Sequence, residues 1–363
     1  MSEYIHTSIS NGTGLIVLDR PKALNSLSLE MVRAITRVLR DWRDDDSVAA
    51  VLIRSSSEKA FCAGGDIRFF HDVGRSTPQG GSALLEDFFT EEYSLNHLVH
   101  FYPKPYIALM DGVVMGGGMG IAQGGVRIVT DKTRMAMPEV NIGLFPDVGG
   151  SYFLSRAPGA LGYYLGVTGV TINAADALYA GLADHYAPMA DRAALDAVLS
   201  ATPGAELVSA LAAYAATHNA GDSQLAADRA AIDRHFSAGS VPAIVASLKA
   251  DDSAFAAKTL QLLSTRSPLM MSVTHELIKR GAALDVADCL RMERTLVRRN
   301  FENGEVIEGV RALVVDKDNA PQWQPATLEE VTTEMVQGMF QPVWPDYAHP
   351  LRHLSTPQGH RGV

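Results

Sequence analysis

The chain has 363 residues, 47% of them hydrophobic and 20% charged, a composition that excludes wholesale disorder and fits a globular protein. Its formal net charge of -10 argues against nucleic-acid binding through a basic surface, yet leaves room for a local basic patch on an anionic small ligand. Cys62 and Cys289 are its only cysteines, so neither a disulfide framework nor an all-cysteine zinc site is expected.

The opening MSEYIHTSISNG has no basic stretch followed by an apolar core, and no run of about 18 apolar residues follows, so a cytoplasmic protein without a membrane span is expected. GLIVLDR (14–20) predicts a strand ended by Pro21. SLEMVRAITRVLRDWRDD (28–45) predicts an amphipathic helix with Ser28 as N-cap, and AAVLIRSS (49–56) a second strand. The β-α-β order repeats through KPYIALMDGVV (104–114), a glycine turn, a helix-sized stretch and VRIVTDK (126–132). From about residue 160 alanine-rich helical patterns dominate, broken at Pro203-Gly204, 219–222 and 239–242. Residues 341–363 collect prolines and histidines without periodicity and read as an irregular tail; their histidine spacings match no metal-ligand motif. The division expected along the chain is an α/β core over 1–190, a helical region over 191–340 and the tail.

Several chemistries are set aside by position. A dinucleotide fingerprint starting at Gly118 needs glycine where Gln123 stands, and no Walker loop or G-x-S-x-G elbow occurs. His275-Glu276 lacks its second histidine, since position 279 is Lys279. Three blocks remain: KAFCAGGDI (59–67), MDGVVMGGGMG (110–120) and AMPEVNIGLFPDVGG (136–150). Small residues at Cys62, Ala63 and Gly64 let a carbonyl approach the main chain, and N–H groups of the glycine turn at 116–118 are placed to receive an oxyanion. Taken singly, each glycine is better explained by a tight turn or close packing.

In this order and spacing the blocks resemble the crotonase (enoyl-CoA hydratase/isomerase) superfamily over residues 14–171. The resemblance implies an α/β crotonase (ClpP/crotonase-like) fold of stacked ββα units with a helical C-terminal region. It implies an oxyanion hole from the N–H groups of Cys62 and Gly117. Enoyl-CoA hydratases of this pattern carry two glutamates; here the first position is Gly120 and the second is Glu139, so hydration loses one acid. The hydrolase branch acting on 3-hydroxyisobutyryl-CoA is more similar, through FCAGGDIR (61–68), EEYSLN (91–96), residues 137–156, TRSPLMMSVT (265–274) and residues 301–323.

That branch implies thioester hydrolysis in valine breakdown, with Glu139 as nucleophile or general base and Asp147 binding the substrate hydroxyl or assisting proton transfer. As a bare residue type, Asp147 also fits a turn cap before Val148. The resemblance assigns Glu92, Gly116 and Gly120 to substrate binding, and Lys22, Ala23, Gly64, Gly65, Asp66 and Ile67 to coenzyme A, which belongs to the substrate; no separate cofactor or metal is implied. Arg266 and Phe301 fall in family-like segments that cover the pocket. Neither nucleic acid nor membrane is an expected partner, and a homo-oligomer stays open. An enoyl-CoA hydratase or isomerase, or a catalytically silent acyl-CoA-binding protein, are the competing readings.

Overall fold

The computed structural model describes residues 2–77 and 81–357. They group into two compact units, one formed by Met1–Gly65, Leu95–Ala136 and Thr171–Ala226, the other by Asp66–Ser94, Met137–Val170 and Ala227–Val363. No helix among the described residues is long and apolar enough to cross a membrane.

The first unit contains strands β1 (Ile5–Ser10), β2 (Thr13–Leu18), β3 (Ala50–Ser55), β4 (Ala60–Cys62), β5 (Tyr106–Met110), β6 (Val113–Met115), β7 (Val126–Val129), β8 (Arg134–Ala136) and β9 (His185–Tyr186). A six-stranded sheet runs β1-β2-β3-β5-β7-β9 and a three-stranded sheet β4-β6-β8. Among these strand pairs only β1 with β2 is antiparallel. Each of the pairs β3/β4, β5/β6 and β7/β8 gives its first strand to the large sheet and its second to the small one. These are the stacked ββα units.

The sequence predicted one strand over 104–114, and the structure divides it. At Gly112 the chain adopts φ +80°, and a Cβ there would lie 2.5 Å from the Lys59 carbonyl oxygen, so only glycine permits the handover from β5 to β6. Continuous apolar runs such as β5, buried at every position, belong to parallel strands covered on both faces. On one face Leu52, Leu109 and Ile128 meet Leu195, Leu199, Leu207 and Leu211 of helices Arg192–Ala201 and Leu207–Ala215. Truncating one such leucine to alanine costs about 2–5 kcal/mol. The predicted helix is Leu29–Arg43; Ser28 caps it by accepting from the Met31 N–H at 3.3 Å, and Met31, Val32, Ile35, Leu39 and Trp42 form its buried stripe.

The second unit is helical. Pro268–Gly281, opened by Ser267 as N-cap and Pro268 at the first turn, buries most of its surface and leaves one stripe, Ser272, Glu276, Lys279 and Arg280, less than fully buried. Phe70, Phe88, Phe89 and Phe301 form an aromatic cluster that also holds the Tyr93 ring, with Phe89–Phe301 centroids 5.7 Å apart and Phe89–Tyr93 6.0 Å. Phe301, expected over a pocket, lies in this core. Residues 341–357 are irregular except for the short turn Asp346–Ala348, yet they are tied down: Arg291 donates to the Leu354 carbonyl at 2.9 Å, and Leu351 is buried. The tail residues 358–363 lie outside the described residues, among which no histidine, cysteine or acid cluster suits a metal ion. Cys62 and Cys289 form no disulfide and are fully buried.

Candidate active site

In the first unit the glycine turn is a single helical turn, Gly117–Gly120, entered from Gly116 at φ 48° and ψ -118°. The Gly116 carbonyl accepts from the N–H groups of Met119 and Gly120, and that of Gly117 from Ile121, so the turn's earliest amides have no acceptor within it. This turn lies directly on the strand that carries Cys62: a Cβ added at Gly118 would fall 2.3 Å from the Cys62 carbonyl oxygen and 2.9 Å from its Cβ. Gly64, at φ +98°, sits 3.2 Å by the same measure from the Met115 carbonyl oxygen and 3.6 Å from the Gly117 nitrogen. The backbones of the first two blocks thus touch, with no side chain between them.

Lys22 and Ala23 occupy the short turn Pro21–Ala23, where Lys22 is exposed. Ala63 donates to the Leu24 carbonyl at 3.0 Å and Leu27 to the Gly64 carbonyl at 2.7 Å, which brings this turn beside Cys62, Gly64 and Gly65. Buried Asn25 locks the junction. Its side chain accepts from the Arg20 N–H at 2.7 Å and donates to Ser55 Oγ and to the carbonyls of Ala60 and Phe61. Asp66 and Ile67 open the helix Ile67–Ser76 of the second unit, where the Asp66 carboxylate caps the Phe69 N–H at 3.3 Å.

The acids of the second unit form a buried cluster. Glu139 starts the 3-10 turn Glu139–Ile142 immediately after Pro138; it is 5% exposed, and its Oε2 has no hydrogen-bond partner. Asp147, equally buried, accepts the Tyr93 hydroxyl at 2.6 Å. Tyr93 and Glu92 lie on the helix Ala83–His100, and Glu92 Oε1 is likewise buried without a partner. An orphaned buried carboxylate oxygen costs free energy unless a ligand or a proton satisfies it. Burial first, then the charge of Asp147, holds both Glu139 and Glu92 well above the ordinary carboxylate range. Burial raises Asp147 to about 6 against the Tyr93 hydrogen bond, which favours its ionised form. An acid that ionises at about pH 6, as Asp147 does, can take and return protons near neutrality. Arg266, by contrast, spends its Nε on the Thr168 carbonyl at 2.8 Å.

The enoyl-CoA hydratase/isomerase family profile matches residues 13–340. The chain belongs to this family. As a family member it is similar to the curated mitochondrial 3-hydroxyisobutyryl-CoA hydrolase of Xenopus laevis, with 42% identity over 334 residues covering 90% of this chain and 86% of that one. The Homo sapiens protein of the same name is 38% identical over 340 residues, with the same coverage. Among solved structures, a carnitinyl-CoA dehydratase from Mycobacterium thermoresistibile superposes with a TM-score of 0.88 at 42% identity, covering 95% of this chain and 98% of its own. An enoyl-CoA hydratase from Rhodobacter sphaeroides 2.4.1 gives 0.85 at 36% identity, with coverage of 94% and 98%. The fold is the crotonase fold.

Four residues of this family member escaped the sequence reading. Tyr93 lies inside the quoted block EEYSLN, and its buried neighbour Glu92 was its only signal. Asn25, Glu293 and Asn300 act through partners remote in the chain and follow no spacing rule.

Proposed function

We propose that the chain hydrolyses the thioester of 3-hydroxyisobutyryl-CoA, or a similar short-chain hydroxyacyl-CoA, to the free acid and coenzyme A. The observation that carries this reading is the buried Glu139 carboxylate with an unpartnered oxygen, raised in pKa and influenced by Asp147, in a chain that has Gly120 where a hydratase-like second glutamate would stand. The names of the curated relatives support the substrate class.

The acyl carbonyl oxygen is received by the N–H groups of Cys62 and Gly117 as negative charge develops on it. Losing one such donor elsewhere costs about 3 kcal/mol of transition-state stabilisation. Glu139 in its ionised form either attacks the carbonyl carbon, giving an anhydride that water then opens, or removes a proton from water as it attacks. On both routes the C–S bond breaks, the sulfur leaves with its electron pair and takes up a proton, and the oxygen of water ends in the carboxylic acid. Burial makes Glu139 a stronger base than a solvated carboxylate, and Asp147, ionised above about pH 6, accepts the substrate hydroxyl or relays the proton. Lys22 and Ala23 with the backbone of 64–67 hold the coenzyme A portion. Valine breakdown and a cytoplasmic location complete the proposal; subcellular fractionation of the source cells tests the location, since the named relatives are mitochondrial.

The deciding experiment follows thiol release from 3-hydroxyisobutyryl-CoA beside loss of the enoyl absorbance of crotonyl-CoA. Thiol release without hydration is expected. Rapid hydration without thiol release overturns the reading in favour of the hydratase, and binding without either reaction favours a silent acyl-CoA-binding protein.

A further inference from the structure

Glu293 takes no part in the chemistry above, yet it is fully buried and accepts three hydrogen bonds. Its Oε2 accepts from the Gly149 N–H at 2.8 Å; its Oε1 accepts from the Ser151 N–H at 2.9 Å and from Ser151 Oγ at 2.5 Å. These donors come from the turn directly after Asp147. That turn is conformationally costly: Val148 stands at φ +52° and Gly149 at φ +89°, and a β-branched residue in the left-handed region is stable only where its surroundings enforce it.

A second anchor lies on the same helix, Val286–Asn303. Asn300, also fully buried, donates from Nδ2 to the Gly143 carbonyl at 2.8 Å. Glu293 and Asn300 are seven positions apart, close to two helical turns, so they project from one face. The stretch between Gly143 and Gly149, which contains Asp147, is suspended between them.

We propose that Glu293 is a positioning residue for the reacting acids: its carboxylate sets the turn that aims Asp147, and with Asn300 it makes the Val286–Asn303 helix the brace of the 143–151 segment. Two acceptor oxygens are required chemically. Three donors converge on its two oxygens, and a glutamine would turn an NH2 group toward one donor N–H and forfeit that side. Tyr93 fixes the Asp147 side chain at its tip, while Glu293 fixes the backbone beneath it. The inference rests on the reading of Asp147 as a substrate-contacting acid of an acyl-CoA enzyme.

A double-mutant cycle on the acyl-CoA turnover shown by the wild type tests it. Glu293→Gln should lower kcat by about 100-fold with KM changed less than about threefold, the size expected when a reacting group is misplaced by an ångström. In an Asp147→Asn background the same substitution should cost almost nothing further, because the group it aims is already disabled. Multiplicative losses in the double variant, or wild-type kcat in folded Glu293→Gln, overturn the inference. Should Glu293→Gln fail to fold, the cycle is run with Ser151→Ala, which removes one of the three donors. A loss of about threefold that vanishes beside Asp147→Asn supports the brace, and no loss or an undiminished one overturns it. A wild type that hydrates but releases no thiol defeats the hydrolase reading alone, whereas a wild type with no acyl-CoA turnover defeats both.

Discussion

The glycine turn at 116–120 and the acid segment at 139–151 solve opposite problems. The turn offers backbone groups, and its shape depends on the lack of side chains: a single methyl at Gly118 would collide with the Cys62 carbonyl. The acid segment offers side chains, and its shape depends on partners more than a hundred residues away, Glu293 on Gly149 and Asn300 on Gly143. One part tolerates no addition, the other no subtraction. Burial explains the difference, since backbone dipoles are fixed by the main chain itself, whereas unsolvated carboxyl groups must be held in place by partners.

The largest effect is expected on the acid side. Glu139→Gln should reduce thiol release by roughly 10³–10⁴-fold while acyl-CoA binding persists; normal turnover in a folded variant would remove Glu139 from the mechanism. On the glycine side, Gly118→Ala should push the 117–120 turn off the β4 strand, lowering kcat by about 100-fold and stability by about 1–3 kcal/mol. If thermal denaturation shifts and kcat does not, the turn serves packing only.

Tyr93→Phe probes the acid side more gently. The Tyr93 hydroxyl favours ionised Asp147, so its removal raises a pKa that already stands at about 6. Activity that needs the Asp147 carboxylate is lost as pH falls through that pKa, so the acid limb should move to higher pH, with turnover near pH 6 falling by about tenfold and the plateau little changed. An unmoved limb would show that Asp147 is not the titrating group. Lys22→Ala should be smallest. It is exposed, so a rise of about two- to fivefold in KM for acyl-CoA, shrinking as salt increases, is all that a solvated charge can supply. An unchanged KM would return Lys22 to the ordinary surface.

The contrast between the two regions also governs what could be read from the residues. Gly64, Gly116 and Gly118 are dictated by steric exclusion, a property of the residue type itself, so the sequence reading recognised their block. Burial along β3 and β5 was visible in their apolar runs, and the Leu29–Arg43 helix in its spacing and its Ser28 cap. The handover at Gly112 was missed because both flanking strands are apolar and periodicity does not record a change of sheet; the Asp111-Gly112 turn dipeptide was its one signal. Glu139 and Asp147 were found through their block, whereas Glu293 and Asn300 fall outside every such block. Their partners are fixed only once the chain is folded.

The burial of both thiols has a practical side. Cys62 and Cys289 are inaccessible in the native fold, and burial pushes the Cys289 thiol up to about 12, far from its reactive form. A thiol-reactive dye added to the native enzyme therefore counts only the coenzyme A set free. The same dye applied before substrate becomes a gauge of integrity, because a variant that has lost its native structure reports its own cysteines at once and exposes itself as misfolded instead of inactive.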